Sequence, residues 1–238
     1  FGKLRIDIGT LIVVMSLFAM IQAAVLIYQY KLNKAYPGIG WWAAGSLAGA
    51  AGFALNVLRE MEPFRIWSLI AGNGLLVAAL VFFYIGVARF LGKTERRGSL
   101  LAGWILLLVL LAYYTLIDDQ IVTRVVLVSA AVTVISLMSA AVLWRNRVGA
   151  ALTPELLTLT AFLLHGIFFA VRTVEYLLWG EGFSFFAPTF MQTLMFVVVF
   201  ISNNLWTFGF VTLVNRRLHD ETREAKERFE VIFHTSPD

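Results

Sequence analysis

Residues Phe190–Glu230 read FMQTLMFVVVFISNNLWTFGFVTLVNRRLHDETREAKERFE, an apolar run that passes through Arg216-Arg217 into a charged, helix-prone segment, with no Gly or Pro between Gly209 and Pro237. About 20 apolar residues in helical form cross the roughly 30 Å hydrocarbon core of a bilayer. The stretch therefore reads as one membrane helix that leaves the lipid and goes on as a charged cytoplasmic helix, Arg216–Glu230. A chain with this stretch is expected to be an all-α membrane protein, with residues 1–215 in the bilayer and 216–230 as a charged helix outside it.

Composition agrees. Of 238 residues, 60% are hydrophobic and 14% charged, and the mean hydropathy is +0.81. A soluble domain carries roughly 45–50% apolar residues and about 25% charged ones. The chain opens at Phe1 without a methionine, and no small-residue cleavage site follows its first apolar run. This is expected of a trimmed chain whose first run stays as an anchor, rather than of a precursor with a signal peptide. Having no cysteine, the protein makes no disulfide, thiolate metal site or catalytic thiol. The net charge of +4 comes from basic residues in short loops flanking apolar runs, which points to membrane topology and away from nucleic acid.

Seven runs have membrane-spanning length or come close to it: Ile8–Tyr30, Ile39–Leu58, Ile66–Leu91, Leu100–Ile117, Ile121–Trp144, Leu156–Trp179 and Phe190–Val214. Joining the fourth to the fifth would bury Asp118 and Asp119 in hydrocarbon, so they form a hairpin and the number of spans is seven. Lys31 and Lys34, then Lys93, Arg96 and Arg97, then Arg145 and Arg147, then Arg216 and Arg217 share one side. Arg59, Glu60, Glu62 and Arg65, then Asp118 and Asp119, then Glu181 face the other. The positive-inside rule places the N-terminus outside and the C-terminus in the cytoplasm, with Lys3 and Arg5 the discordant pair, partly offset by Asp7. Trp41-Trp42, Trp67, Trp104, Trp144 and Trp179 fall near span ends, where indole rings favour headgroup level. Gly45, Gly49 and Gly52 give the second span a small-residue surface for close helix packing, within the chain or in a dimer. Pro63, Pro154 and Pro188 lie in loops or at helix starts. No internal repeat is present, which weighs against an inverted-repeat transporter.

Polar groups inside spans mark candidate sites. With the ends assigned, Asn56 and Arg59 of the second span, Asn73 of the third, Arg124 of the fifth and Arg172 and Glu175 of the sixth fall in the outer half. His165 lies two turns from Arg172, giving a stripe of His165, Phe168, Arg172, Glu175 and Trp179. Gln192 and Thr193 open the seventh span. One reading is an outward-facing pocket for a small polar or anionic ligand, with Arg172 and Arg59 as partners of a carboxylate or phosphate. The alternative is structural: Arg172 and Glu175 neutralise each other, Arg59 and Arg124 snorkel to the interface, and the asparagines and His165 bond neighbouring helices. His165 is the only histidine in a span, with His219 and His234 beyond the cytoplasmic end, which excludes a bis-histidine haem within one chain and argues against a metal cluster. No lysine lies in a span, so a retinal Schiff base fails. Asn203 and Asn204, with Ser202, are candidates for a contact coupling the pocket to the exit helix. Leu218, Ala225 and Ile232 form a sparse heptad seam, interrupted by Glu221 and Arg228, which suits a weak parallel homodimer. No Gly-rich phosphate loop, nucleophile constellation or pair of catalytic carboxylates is present, so no catalytic residue is assigned.

The ending, ERFEVIFHTSPD from Glu227 to Asp238, resembles the opening of a bacterial PAS domain, in which an amphipathic helix leads into the first strand. Residues 231–238 would then begin a truncated PAS-like unit. PGIGWW (Pro37–Trp42), AGN (Ala71–Asn73) and GVARFLG (Gly86–Gly92) are similar to membrane regions of bacterial multi-span sensory proteins. That resemblance implies an inner-membrane receptor for an external, lipid-borne or membrane cue, controlling a GGDEF diguanylate cyclase that makes cyclic di-GMP. A histidine kinase output is the alternative, and a transporter or channel is the rival class.

Overall fold

The computed structural model describes residues 8–146, 153–180 and 190–235, and among these the chain is helical with no strand. Lys3, Arg5, Asp7, Arg147, Glu181, Pro188 and the terminal Ser-Pro-Asp lie outside the described residues. The helices are α1 (Ile8–Leu32), α2 (Ile39–Val57), α3 (Glu62–Phe90), α4 (Arg97–Leu116), α5 (Ile121–Asn146), α6 (Pro154–Trp179) and α7 (Phe190–Thr235). All but α2 are long and apolar enough to cross a membrane, as in a multi-pass membrane protein. The 19 residues of α2 suffice in length, but its glycines and paired tryptophans lower its hydropathy. Six helices rather than seven thus stand out by length and composition.

Helix α7 runs unbroken for 46 residues and takes in residues 231–235. Its charged part is laced by i,i+4 ion pairs such as Arg217–Glu221 and Arg223–Glu227, which support helix without tertiary packing.

Packing closes α1, α2, α3, α5, α6 and α7 into a ring in chain order, with α7 returning to α1. Outside the ring, α4 lies against α3 and α5 and presents Leu101, Ile105, Leu106, Val109 and Leu116 outward. Residues Asp118–Gln120 make the expected hairpin between α4 and α5. Proline falls where a missing N–H is tolerated: Pro63 in a 3-10 turn, and Pro154 at the first turn of α6, behind Thr153, which accepts from the Leu156 N–H at 3.4 Å.

One end of the ring is filled with aromatic rings. Trp42 of α2 stacks on Phe210 of α7 with centroids 4.2 Å apart and planes 6° apart. Phe83 meets Phe210 and Trp206 edge-on at 5.5 and 5.6 Å, and Phe162 of α6 lies 4.8 Å from Trp206. Trp42 is completely buried, so its ring faces the bundle interior and not the headgroups as expected, whereas Trp67, Trp144 and Trp179 are exposed near helix ends as expected. Two glycines permit this plug. Gly38 takes φ 102° at the entry to α2, a conformation open to Gly, and a Cβ on Gly86 would strike the Trp42 ring. The small-residue face of α2 serves the same packing: Gly45 faces Phe83 and Ala79, and Gly52 faces Gly72 and Leu76 of α3.

Candidate functional site

Beyond the aromatic plug, toward the opposite end of the ring, lies a cavity of about 150 Å³. All six ring helices contribute to it, and α4 does not. Asn56 and Arg59 come from the end of α2 and its following turn, Asn73 from α3, Arg124 from the first turn of α5, and His165 and Arg172 from α6. These are six of the seven candidate ligand-binding residues. The seventh, Glu175, does not line the cavity; it is half-buried one turn along α6 from Arg172, and its buried Oε2 has no hydrogen-bond partner. Deeper walls are apolar, among them Leu80, Val128, Val132 and Val199, and Phe83 and Trp206 of the plug close the bottom.

Arg172 is 4% exposed. Its guanidinium donates to Ser129 Oγ at 2.8 Å and Gln192 Oε1 at 3.3 Å and lies 5.0 Å from the Tyr176 ring centroid. The expected Arg172–Glu175 ion pair is absent. No carboxylate among the described residues lies within 4.0 Å of Arg172. Neutral oxygens hold the cation in place and leave its charge uncompensated at bonding distance, and its Nε has no hydrogen-bond partner. Arg124 does not snorkel: it is buried and pairs with Asp119 and the Tyr114 carbonyl of the hairpin, while its Nε also lacks a partner. Asn56 and Asn73 bond their own helices, to the Gly52 and Leu69 carbonyls at 2.9 and 2.7 Å, and not a neighbouring helix. Asn73 follows a π-helical turn, Ser68–Gly72, a local widening often found at functional sites.

His165 pairs with Ser136 at 3.0 Å and packs against Phe169 and Trp206, so it bonds a neighbouring helix as the structural alternative holds. Two reciprocal contacts thus tie α5 to α6. Arg172 and His165 are seven residues apart, and so are their partners Ser129 and Ser136 on the antiparallel helix. That matched spacing is present in the sequence, and it is the signal that could have found both serines. Gln22 of α1, another lining residue the sequence reading passed over, has a buried Nε2 without a partner; a lone amide in an apolar run gave little reason to select it.

Of the relay candidates, Asn203 lines the cavity. Asn204 does not: it is exposed and bonds the Phe200 carbonyl of its own helix at 2.8 Å. Leu218 and Ala225 are exposed on the charged part of α7. Between cavity and seam the structure adds a clasp. The Tyr36 hydroxyl, from the loop joining α1 and α2, donates to Glu221 Oε2 at 2.6 Å. Arg217 donates to the Phe90 carbonyl at 3.2 Å and to Glu221, and lies over the Tyr36 ring. Arg216 pairs with Glu155 at 2.9 Å. The hydrogen bond from Tyr36 holds the Glu221 carboxyl below its ordinary 4.5, and bonding to that carboxylate pushes the Tyr36 hydroxyl above its ordinary 10.0.

Cationic and amide donors at one end of an apolar, helix-lined cavity can hold an anionic or polar group. Among the described residues no group of His, Asp and Glu is placed to hold a metal ion. Comparison with family models, with curated proteins and with solved structures finds no match to this chain.

Proposed function

We propose that the chain is the seven-span input module of a bacterial inner-membrane receptor, N-terminus outside and C-terminus cytoplasmic, which binds a small polar or anionic ligand in the ring cavity and regulates a cytoplasmic output enzyme through α7. The observation that carries the proposal is the course of α7. One unbroken helix supplies Phe196, Asn203 and Trp206 to the cavity and Phe210 to the plug, and then runs out through the Arg216–Glu221 clasp. Ligand-dependent changes at one end of such a rod reach the other as rotation or shift. Bias of 1–3 kcal/mol is the usual scale of such coupling, and a clasp made of a few exposed polar contacts can be shifted by it.

The PAS-like ending selects the output, a GGDEF diguanylate cyclase first and a histidine kinase second. The working unit is a parallel homodimer joined weakly along Leu218 and Ala225. The test is an insertion series after Asp220 in the receptor carrying its output domain. One inserted residue turns everything downstream by about 100°, whereas seven restore the facing. Output should be locked or lost with one and recovered with seven. Normal regulation at every length would refute transmission through α7, and substrate flux in vesicles would favour a transporter.

A further inference from the structure

As a ligand site, the ring cavity selects by charge, by lining and by volume. Resting on that reading, we infer that the cavity takes a compact amphiphilic carboxylate: one anionic head held at the guanidinium end and an apolar body, about the size of a benzene ring, resting above the aromatic plug.

Charge selects the head. Arg124 has Asp119 as its counter-charge, but Arg172, held by Ser129 and Gln192, has no carboxylate at bonding distance among the described residues, and both guanidiniums keep a buried Nε without a partner. Glu175, one turn away, lies beyond ion-pair distance, so the Arg172 guanidinium, bonded to neutral oxygens, keeps an open planar N–H edge at Nε, and a carboxylate matches that edge. The walls select the body. Below Arg172 the lining is mainly apolar, Leu80, Val128, Val132 and Val199 down to Phe83 and Trp206, with His165 and Asn203 as polar groups among them, and fully hydrated inorganic anions gain nothing from such walls. Size sets the limit. A dry apolar cavity of about 150 Å³ accommodates benzene, and the seven residues from Arg172 to His165 span about 10 Å of helix axis. An aromatic acid or a short-chain fatty acid fits these limits, and a long-chain lipid does not fit inside.

The test uses the full chain in lipid nanodiscs, with calorimetry and thermal unfolding, and with benzoate, hexanoate, inorganic phosphate and benzyl alcohol as probes. Benzoate and hexanoate should bind saturably and raise the unfolding midpoint, benzyl alcohol should bind at least ~10-fold more weakly, and phosphate should not bind. Arg172→Lys, which keeps charge but loses the planar fork, should weaken benzoate by ~10-fold or more. Gly49→Leu is a variant expected to fold, because a Cβ at Gly49 meets only the Ala79 Cβ at 3.6 Å and a longer side chain enters the cavity. It should abolish carboxylate binding while raising the midpoint of the empty protein. Equal binding of benzyl alcohol and benzoate, or tighter binding of phosphate, would overturn the carboxylate assignment and leave the cavity standing as a ligand site. If no probe binds and Gly49→Leu lowers the midpoint, the cavity is closed, and the ligand-site reading falls together with the carboxylate.

Discussion

Replacing Phe210 by Ala removes the ring that joins α7 to both α2 and α3. Phe210 is fully buried, stacked on Trp42 and edge-on to Phe83. In a soluble protein such a change costs about 3–5 kcal/mol, part from transfer to water and part from the void. In a bilayer the transfer part largely vanishes, since lipid tails are as apolar as the interior. The void part remains: at ~24 cal/mol per Å³ for a loss on the order of 100 Å³, about 2.4 kcal/mol. Lost ring contacts add about 1 kcal/mol, for a total near 3.5 kcal/mol. Phe208, two residues earlier on the same helix, is 62% exposed, and Phe208→Ala should stay within about 0.5 kcal/mol. Reversible unfolding of both variants in nanodiscs, for example by steric trapping, measures the difference. Equal costs for the two positions would mean that α7 does not present Phe210 to the ring interior, and the aromatic plug would be wrong.

Ser129→Ala should cost about 1–3 kcal/mol in the same assay by leaving a buried Arg172 donor unpaired, whereas Glu175→Gln should cost less than ~1 kcal/mol; the reverse order would restore the Arg172–Glu175 pair. The clasp should be sensitive to pH on both sides of neutrality. Glu221 has a depressed pKa, so its contribution is present above about 4.5 and lost as pH falls through its folded value; Tyr36 has a raised pKa, so its contribution is present below about 10.0 and lost as pH rises through its folded value. A spin label at His219 should therefore gain mobility at either extreme, and Tyr36→Phe should give the mobile spectrum already at neutral pH; identical spectra would remove the clasp. Reporter fusions at Lys34 and Arg96 should report cytoplasm and those at Glu62 and Asp119 the outside, and a periplasmic signal at Arg96 would sink the seven-span topology.

Helices were legible in this sequence because hydrocarbon imposes long apolar runs, and the polar residues that interrupt them included most of the polar groups lining the cavity. Partner choice was less legible. Arg172 and Glu175 sit at i,i+3, which suggests a pair, but the ring places Ser129 and Gln192 closer to the guanidinium, and only the matched seven-residue spacings on α5 and α6 pointed there. Trp42 looked like an interfacial tryptophan because it is near a helix end; Gly38 and Gly86 draw it inward, a tertiary effect with no periodic signature. Tyr36 and Glu221 are 185 residues apart, and no local pattern joins them. Asn203 and Asn204 were not separable in the sequence, yet adjacent residues on a helix point about 100° apart: with Asn203 toward the cavity, its neighbour faces out.

In the proposed function, α7 carries the state of the cavity to the charged end of the bundle. Electron–electron resonance distances between spin labels at Lys34 and Ala225 measure this directly, in nanodiscs, for the empty protein, for the protein saturated with benzoate and for Gly49→Leu. If α7 couples cavity and clasp, benzoate should shift the distance distribution toward a second population, and Gly49→Leu should hold one population whether or not benzoate is present. Should the distribution stay the same in all three while calorimetry shows benzoate bound to the wild-type protein, occupancy of the cavity would not reach the exit helix, and the account of α7 as the signalling element would be contradicted.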